Sequence, residues 1–263
     1  MSPKASEKRA MKVTFLGTSS GWPHPRLSCF CEMCTSKDKK DTRKRSQLLI
    51  NKDLLIDAGP DTYQTLYSRD LSSLQYLCIT HAHPDHILGL HDLREMSRFR
   101  RKLTLIVPLE VLNGIKMGLP NVALDAFRLE VIKPLQPFRV QNYQITYFPV
   151  HHTRTPAFGV KIKERKLIAY MPDVASLPGK STKIVRDLHL LIMDASTIKR
   201  SAFGHQSLEE GVLLGKKLNA KRTYFTHIGH ATLPHENLES YVYSLGGSSF
   251  HIAYDNLELA LVW

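Results

Sequence analysis

The side chains best suited to bind a metal ion lie in one short segment, residues 81–86, which has the sequence HAHPDH. The apolar run 74–80 precedes it, and in residues 87–96 apolar side chains recur at helical spacing. Three imidazoles and a carboxylate so close together would be costly to bury unless a metal or hydrogen bonds satisfied them. Imidazole and carboxylate together favour zinc, iron or manganese over calcium. The segment therefore predicts a metal site between a strand and a helix, and the alternative is an exposed, histidine-rich turn.

The segment HAHPDH resembles the HxHxDH motif of the metallo-β-lactamase superfamily. That fold requires further ligands at later strand ends, a His, an Asp and a His in this order. The sequence offers His152, Asp173 and His227, each just past an apolar, strand-like run. His151 competes with His152 for the ligand role. We prefer His152 because Thr153 follows it, and the family commonly has a small hydroxyl residue there.

The resemblance implies that these residues hold two divalent cations, zinc or manganese. The first cation is expected at His81, His83 and His152, and the second at Asp85, His86 and His227, with Asp173 bridging them. A water bridging two such cations loses a proton near neutral pH and becomes a positioned hydroxide. The cations also neutralise charge that builds on an attacked phosphoryl group, so the expected substrate is a small, anionic phosphodiester.

Three residues are predicted to serve catalysis beside the metals: Asp85, Asp57 and His205. Asp57, at the end of LLIDAG, matches a family position that is expected to orient the metal-site loops by hydrogen bonds. The alternative for Asp57 is a turn aspartate before a glycine. His205, in FGHQS, could protonate the leaving group. Its alternative role is to help cap the helix that follows.

A second cluster of potential ligands is formed by Cys29, Cys31 and Cys34. Three thiols at this spacing can wrap one zinc ion, but a structural zinc site normally has four ligands. His230, three residues after His227, is the candidate for the fourth. This combination resembles the PhnP-like phosphodiesterases, which act on phosphoribosyl 1,2-cyclic phosphate and hold a structural zinc with such residues. Free or redox-active cysteines are the alternative.

The elements that must position these residues alternate along the chain. Strands are predicted at 12–17, 47–50, 54–56, 74–80, 103–107, 143–150, 157–162, 167–171, 188–193 and 223–226, and helices at 62–67, 87–96, 207–218 and 237–245. Such alternation, with several hairpins, favours one layered α/β domain, which we place at residues 11–263. The resemblance implies an αββα four-layer sandwich, in which two mixed β-sheets are flanked by helices.

The whole sequence limits the location and the partners of the protein. Its 263 residues contain no apolar run near the ~20 residues of a membrane span. Residues 1–10 are polar, without the apolar stretch of a secretory signal, and are expected to form a flexible tail of a cytoplasmic protein. The net charge of +12 favours binding of polyanions, but it does not indicate which class of polyanion is bound. Its basic clusters, at 37–45 and 98–102, are expected to be mostly solvated.

Three other functions remain open. One is an endonuclease that resembles ribonuclease Z and cuts transfer-RNA precursors, which would make nucleic acid a partner. We do not favour it, because the sequence has no long Gly/Pro-rich arm for gripping RNA. The others are a PqqB-like protein of cofactor biosynthesis and a metal-binding module without activity. The complete ligand set favours a hydrolase over both. The resemblance also leaves a homodimer open, since the family commonly forms dimers.

Overall fold

The computed structural model describes residues 10–263. Its strands are β1 (Ala10–Gly17), β2 (Gln47–Ile50), β3 (Leu54–Ile56), β4 (Tyr76–Cys78), β5 (Thr104–Pro108), β6 (Arg128–Ile132), β7 (Phe138–Val140), β8 (Tyr143–Val150), β9 (Ala157–Lys163), β10 (Leu167–Met171), β11 (Leu190–Asp194), β12 (Thr223–Thr226), β13 (Phe250–Ile252) and β14 (Glu258–Val262). Its helices are α1 (Glu32–Thr35), α2 (Thr62–Leu66), α3 (Pro84–Ile87), α4 (Leu90–Phe99), α5 (Leu109–Gly118), α6 (Gly179–Ile184), α7 (Leu208–Lys217) and α8 (His235–Gly246). The predicted tail lies outside the described residues except for Ala10, which begins β1.

Two sheets of seven strands each make up the centre of the molecule between residues 10 and 263. Their orders are β14-β1-β2-β3-β4-β5-β6 and β13-β12-β11-β10-β9-β8-β7. Strands β3 to β6 pair in parallel, as do β10 to β13, and the remaining pairs are antiparallel. Helix α5 packs on β5 and β6, α7 on β11, and α8 on β13. The predicted sandwich of two mixed sheets between helices is confirmed.

The interior strands are apolar along their whole length because both of their faces are covered. Strands β3, β4, β10 and β11 are almost entirely buried, as expected for strands between a second sheet and a layer of helices. Contacts across the two sheets include the rings of Phe15 and Tyr224, whose centroids lie 5.8 Å apart. The hydroxyl of Tyr147 donates a hydrogen bond to the carbonyl of Ile106 at 2.7 Å. The sheets therefore pack directly on each other.

Strand direction determines where the candidate ligands meet. Strand β9 runs antiparallel to both β8 and β10, so β8 points the same way as β10, β11 and β12. The carboxyl ends of these four strands consequently lie along one edge of the second sheet. In the first sheet, β4 carries the HAHPDH segment just past its own carboxyl end.

The segment 84–99 differs from the prediction. The predicted helix at 87–96 is confirmed over 90–96, but its start is corrected, because the structure has α3 and α4 separated at Leu88 and Gly89. Pro84 stands at the first position of α3, where its fixed φ angle favours a helix. A side chain at Gly89 would collide with the hydroxyl of Thr62 at 2.3 Å, so the close approach of α2 requires glycine. Two ligand candidates of HAHPDH therefore sit on a helical turn instead of a loop.

Helices α7 and α5 can also be compared with what the sequence indicates. Helix α7 has the capping box that its sequence indicates, since Ser207 and Glu210 each satisfy a backbone N–H group of the other. The sequence does not predict α5, because Gly114 and Gly118 lower its helix propensity. The longest helix, α8, has 12 residues, and none in residues 10–263 is long and apolar enough to cross a membrane.

The basic stretch 37–45 is not uniformly solvated. Arg43 is 1% exposed, which corrects the expectation for this residue. Its guanidinium donates to the hydroxyl of Thr18 at 2.9 Å and to the carbonyl of Ala253 at 2.6 Å. Arg45 pairs with Asp61 at 3.1 Å. Both arginines therefore tie this stretch to the body of the fold.

Candidate metal centre

The predicted ligands of the binuclear site come together at the shared edge of the two sheets. They follow β4, β8, β10 and β12. Five of them line one cleft of about 440 Å³ together with residues of the surrounding loops, namely His83, Asp85, His152, Asp173 and His227. His81 and His86 are buried behind it. Three histidines form the first group. Nε2 of His81 lies 2.9 Å from Nδ1 of His83, and Nε2 of His152 lies 3.2 Å from the same atom. These nitrogens lie close enough together to hold one metal ion.

The second group consists of Asp85, His86 and His227. Nε2 of His86 is 3.2 Å from Oδ2 of Asp85, and Nε2 of His227 is 3.7 Å from the same oxygen. His227 has a φ of 56°, in the left-handed region that side chains other than glycine rarely adopt. Strained backbone of this kind is common at functional sites. The turn after β12 therefore directs the His227 ring into the cleft.

Asp173 lies between the two groups. One carboxylate oxygen, Oδ1, is 3.6 Å from Nε2 of His152 and 3.2 Å from Nε2 of His227. The other, Oδ2, is 3.1 Å from Nε2 of His86. The side chain is 4% exposed. This carboxylate therefore contacts a member of each group.

The buried polar atoms of the cluster suit a pair of metal ions. Within the described part of the chain, Nε2 of His86, Oδ2 of Asp173 and Nε2 of His227 are buried without a hydrogen-bond partner. Unpaired buried polar atoms are costly, and a metal ion would satisfy all three at once. The donor set of imidazole nitrogens and carboxylate oxygens matches zinc, manganese or iron. The residues present therefore fit the divalent cations that the motif implies.

The protonation states of the first group and of Asp173 also favour a cation. Burial lowers the pKa of His81 well below its usual range, and burial likewise lowers the pKa of His83 and His152. These rings are therefore neutral, which is the form that binds metals. Burial alone would raise the pKa of Asp173, but the neighbouring His227 and His86 outweigh it and hold that pKa low. Its carboxylate is thus ionised in the interior of the site.

The ring of His86 is held through Nδ1, the nitrogen that faces away from the cluster. Asp57 is fully buried and accepts a hydrogen bond from Nδ1 of His86 at 2.8 Å. It also accepts one from the backbone N–H of Thr80 at 2.8 Å. Such bonds set the tautomer of a ligand imidazole and leave Nε2 for the metal. Asp57 therefore has the contacts that the predicted orienting role requires.

The side chains of the neighbours His151 and His152 have different surroundings. Nδ1 of His152 contacts the carbonyl oxygen of Gly204 at 2.6 Å, while Nε2 faces the cluster. His151 is exposed and contacts the hydroxyl of Ser176 at 2.8 Å instead. Gly204 has a φ of 82°, and a side chain there would lie 3.0 Å from Nδ1 of His152, so this approach requires glycine.

Asp194 is a functional candidate that the sequence interpretation did not assign. It ends β11, is fully buried, and accepts a hydrogen bond from Nδ1 of His205 at 2.6 Å. Its other oxygen accepts from the backbone and the hydroxyl of Ser196 at 2.8 and 2.6 Å. That hydroxyl lies 3.1 Å from Nδ1 of His227. An aspartate at the end of the apolar run LLIMD is the signal that could have identified it.

His205 lines the cleft beside the metal candidates. Burial lowers its pKa, but the hydrogen bond and charge of Asp194 outweigh burial and raise the pKa to about 9. Its ring therefore carries a proton at neutral pH. The cap of α7 is formed by Ser207 and Glu210, so the alternative of His205 as a helix cap does not describe its contacts.

The cysteine cluster forms a separate centre next to the cleft. The Sγ atoms of Cys29, Cys31 and Cys34 lie 3.2, 3.3 and 3.2 Å from Nε2 of His230. All three thiols are free. Four soft and borderline donors around one point match a structural zinc site. His230 and His227 share one turn, so only two residues, Ile228 and Gly229, separate this centre from the binuclear candidate along the chain.

The chain has clear similarity to known proteins. A model of the beta-lactamase superfamily domain matches residues 52–228. Octanoyltransferase from Porphyromonas gingivalis is 28% identical over 94% of this chain, and a ribonuclease Z from Ignicoccus hospitalis is 32% identical over 48%. The chain spans 51% and 45% of the lengths of these two relatives.

A solved structure is similar over nearly the whole chain. It is a diphosphatase from the PhnP family, which superposes with a TM-score of 0.85 at 27% identity and covers 98% of this chain and 100% of its own. The superfamily match extends over more than half of the sequence and includes the HAHPDH segment, His152, Asp173 and His227. The chain therefore belongs to the metallo-β-lactamase superfamily and is PhnP-like within it.

Proposed function

We propose that this metallo-hydrolase cleaves a small cyclic or ribosyl phosphodiester at a binuclear metal centre. The observation that carries the proposal is Asp173, whose two oxygens contact histidines of both ligand groups. A carboxylate in this position can bind two cations at once and hold them at a fixed separation. Two-metal sites suit phosphodiesters because the attacking and the leaving oxygen both need stabilisation.

Several residues of the chain have separate roles in the proposed reaction. When bound, two divalent cations would supply a hydroxide nucleophile at neutral pH and neutralise phosphoryl charge. Asp57 and Ser196 orient the rings of His86 and His227 through their Nδ1 atoms. His205, protonated beside Asp194, can donate a proton to the departing alkoxide.

Metal content provides a first test. We expect purified protein to contain about three metal ions per chain, two at the binuclear site and one at the cysteine cluster. Mild chelation should remove two of them and abolish hydrolysis of bis-(p-nitrophenyl) phosphate, because a thiolate-rich site holds zinc more tightly than the open site. Elemental analysis before and after chelation measures this. A chain that binds about one ion, or that hydrolyses the diester after complete chelation, would contradict the proposal.

His205→Gln tests the general acid. We expect kcat for a diester with an alkoxide leaving group to fall by roughly 10²- to 10⁴-fold, the usual contribution of a positioned acid. The loss should be much smaller for bis-(p-nitrophenyl) phosphate, because p-nitrophenolate leaves without protonation. His151→Gln is the matched control, since His151 is exposed and not among the cleft residues. Equal losses on both substrates would assign His205 to metal binding or positioning instead.

A nuclease related to ribonuclease Z is the second candidate function. It is favoured by the 32% identity to the ribonuclease, which covers 48% of this chain, and by the net charge of +12. A panel of cyclic ribose phosphates, cyclic nucleotides and precursor transfer RNA, assayed with zinc- or manganese-loaded protein, separates the two. Preferential cleavage of the precursor RNA would replace our proposal with the nuclease.

A further inference from the structure

A pocket of about 200 Å³ lies at the amino ends of the parallel strands of the first sheet. Tyr76, Thr104 and Arg128 are the first residues of β4, β5 and β6, and Tyr76 pairs with Thr104 and Thr104 with Arg128. Residues paired in this way point to the same face of a sheet, so the three side chains form one wall of the pocket. The HAHPDH segment follows the opposite end of β4, so this pocket is separate from the metal cleft.

The pocket carries mainly positive charge. Its charged lining residues are Arg101, Lys102, Arg128 and Glu130. Lys102 donates a hydrogen bond to the carbonyl of Asp125 at 2.8 Å. In the part of the chain that the structure describes, neither Arg101 nor Arg128 takes part in an ion pair, with Glu130 or with another carboxylate. Because arginine stays charged at any physiological pH, two uncompensated guanidinium charges line this pocket.

Tyr76 adds a neutral hydrogen-bond donor to these charges. It is 5% exposed, and its ring packs edge-on against that of Tyr143, with centroids 6.5 Å apart. Burial and the charge of Asp53 raise the pKa of Tyr76, while the charges of Arg101 and Arg128 oppose this rise. The phenol is therefore protonated at neutral pH and can donate a hydrogen bond.

These groups suit the terminal phosphate of a monoester. A guanidinium can bind two phosphate oxygens side by side, and such charge-assisted hydrogen bonds are stronger than neutral ones. A monoester brings up to two negative charges and can enter a recess end-on, whereas an internal phosphodiester of a nucleic acid carries one charge and is substituted on both sides. The volume of the pocket lies below the range of sites that enclose drug-sized ligands, which favours a phosphate with a small group attached.

We propose that this pocket is a second anion site, which binds a phosphate monoester or free phosphate through Arg101, Arg128 and Tyr76. Because it lies outside the metal cleft, the proposal does not rest on the phosphodiesterase function above. Arg101 and Lys102 belong to the basic cluster 98–102, so this part of the cluster has a ligand-binding role.

Calorimetric titration of the metal-loaded protein with inorganic phosphate tests the site. Phosphate also binds divalent cations, but the metal centre contributes equally in the wild type and in variants of the remote pocket. We expect the wild type to bind one phosphate more per chain than the double variant Arg101→Met/Arg128→Met. Either single substitution should weaken this additional binding roughly 10- to 100-fold, the usual effect of losing a hydrogen bond to a charged group. Tyr76→Phe should weaken it less, because it removes a neutral donor.

Arg139→Met is the matched control. Arg139 is exposed and lies between Phe138 and Val140 on β7, so its side chain points away from the pocket that these two residues line. It should keep the stoichiometry and the affinity of the wild type. Equal numbers of bound phosphates in the wild type and the double variant would overturn the proposal. An equal loss in Arg139→Met would also overturn it, since net charge alone would then account for the binding.

Two further ligands identify the occupant. If ribose 5-phosphate binds to the pocket more tightly than inorganic phosphate, the ligand is a phosphorylated metabolite, and the opposite order makes it free phosphate. Binding of an RNA oligonucleotide without terminal phosphates should not depend on Arg101 and Arg128. If its affinity fell in the double variant while the binding of both small ligands stayed the same, the pocket would be part of a nucleic-acid surface and the proposal would be wrong.

Discussion

Replacing Asp173 with alanine is expected to reduce phosphodiester turnover by about 10³-fold or more while the fold persists. Bound cations stabilise a phosphoryl transition state by several kcal/mol, and about 4 kcal/mol corresponds to a factor of ~10³. Asp173 contacts histidines of both ligand groups, so its loss should empty or misplace both cations. The measurement is kcat/KM for bis-(p-nitrophenyl) phosphate together with the metal content of the variant.

The metal content distinguishes the bridging role from a general loss of structure. Asp173→Ala should lose active-site metal and keep the zinc of the cysteine cluster, with little change in its circular dichroism spectrum. Asp125→Ala removes a carboxylate whose side chain is 81% exposed, and it should behave like the wild type. Normal turnover in Asp173→Ala would refute the bridging role, and loss of the folded state would move the experiment to Asp173→Asn.

Cys31→Ser should have its largest effect on stability. A structural zinc site contributes to the free energy of folding, because its ligands are brought together only in the folded state. If the weakened site costs about 3 kcal/mol, the melting temperature of a chain this long should fall by roughly 6–12 °C. Turnover per folded molecule should change much less, since the thiols lie outside the binuclear group. Thermal unfolding and titration of active sites measure the two effects separately.

Phe30→Ala is a suitable control for the cysteine substitution. Phe30 lies between two of the cysteines in the same turn, and its side chain is 87% exposed, so its removal should leave the melting temperature nearly unchanged. Chelation strong enough to strip all zinc should lower the melting temperature of the wild type towards that of Cys31→Ser. If turnover vanished in the variant while its stability stayed the same, the thiols would belong to the active site.

Much of the candidate site could be predicted because its ligands follow local rules. The HAHPDH segment places four of them within six residues, and His152, Asp173 and His227 each follow an apolar run that forms a strand. That these residues meet was predicted from the resemblance to the superfamily motif. The physical reason in the second sheet is that strands running in the same direction end at the same edge. The sandwich of two sheets was likewise implied by the resemblance, whereas the capping box of α7 was predictable from Ser207 and Glu210 alone.

The sequence by itself determined which side chains could bind metal and which strands they follow, because residue type and periodicity are local properties. The resemblance favoured His152 over His151, and the tertiary structure places the ring of His152 among the other ligand candidates while His151 contacts Ser176 instead. The tertiary structure alone decided the burial of Arg43, which depends on a carbonyl 210 residues away, and the partnership of Asp194 with His205. Contacts of this kind join segments whose spacing in the chain carries no periodic signal, so only packing of the two sheets and their loops establishes them.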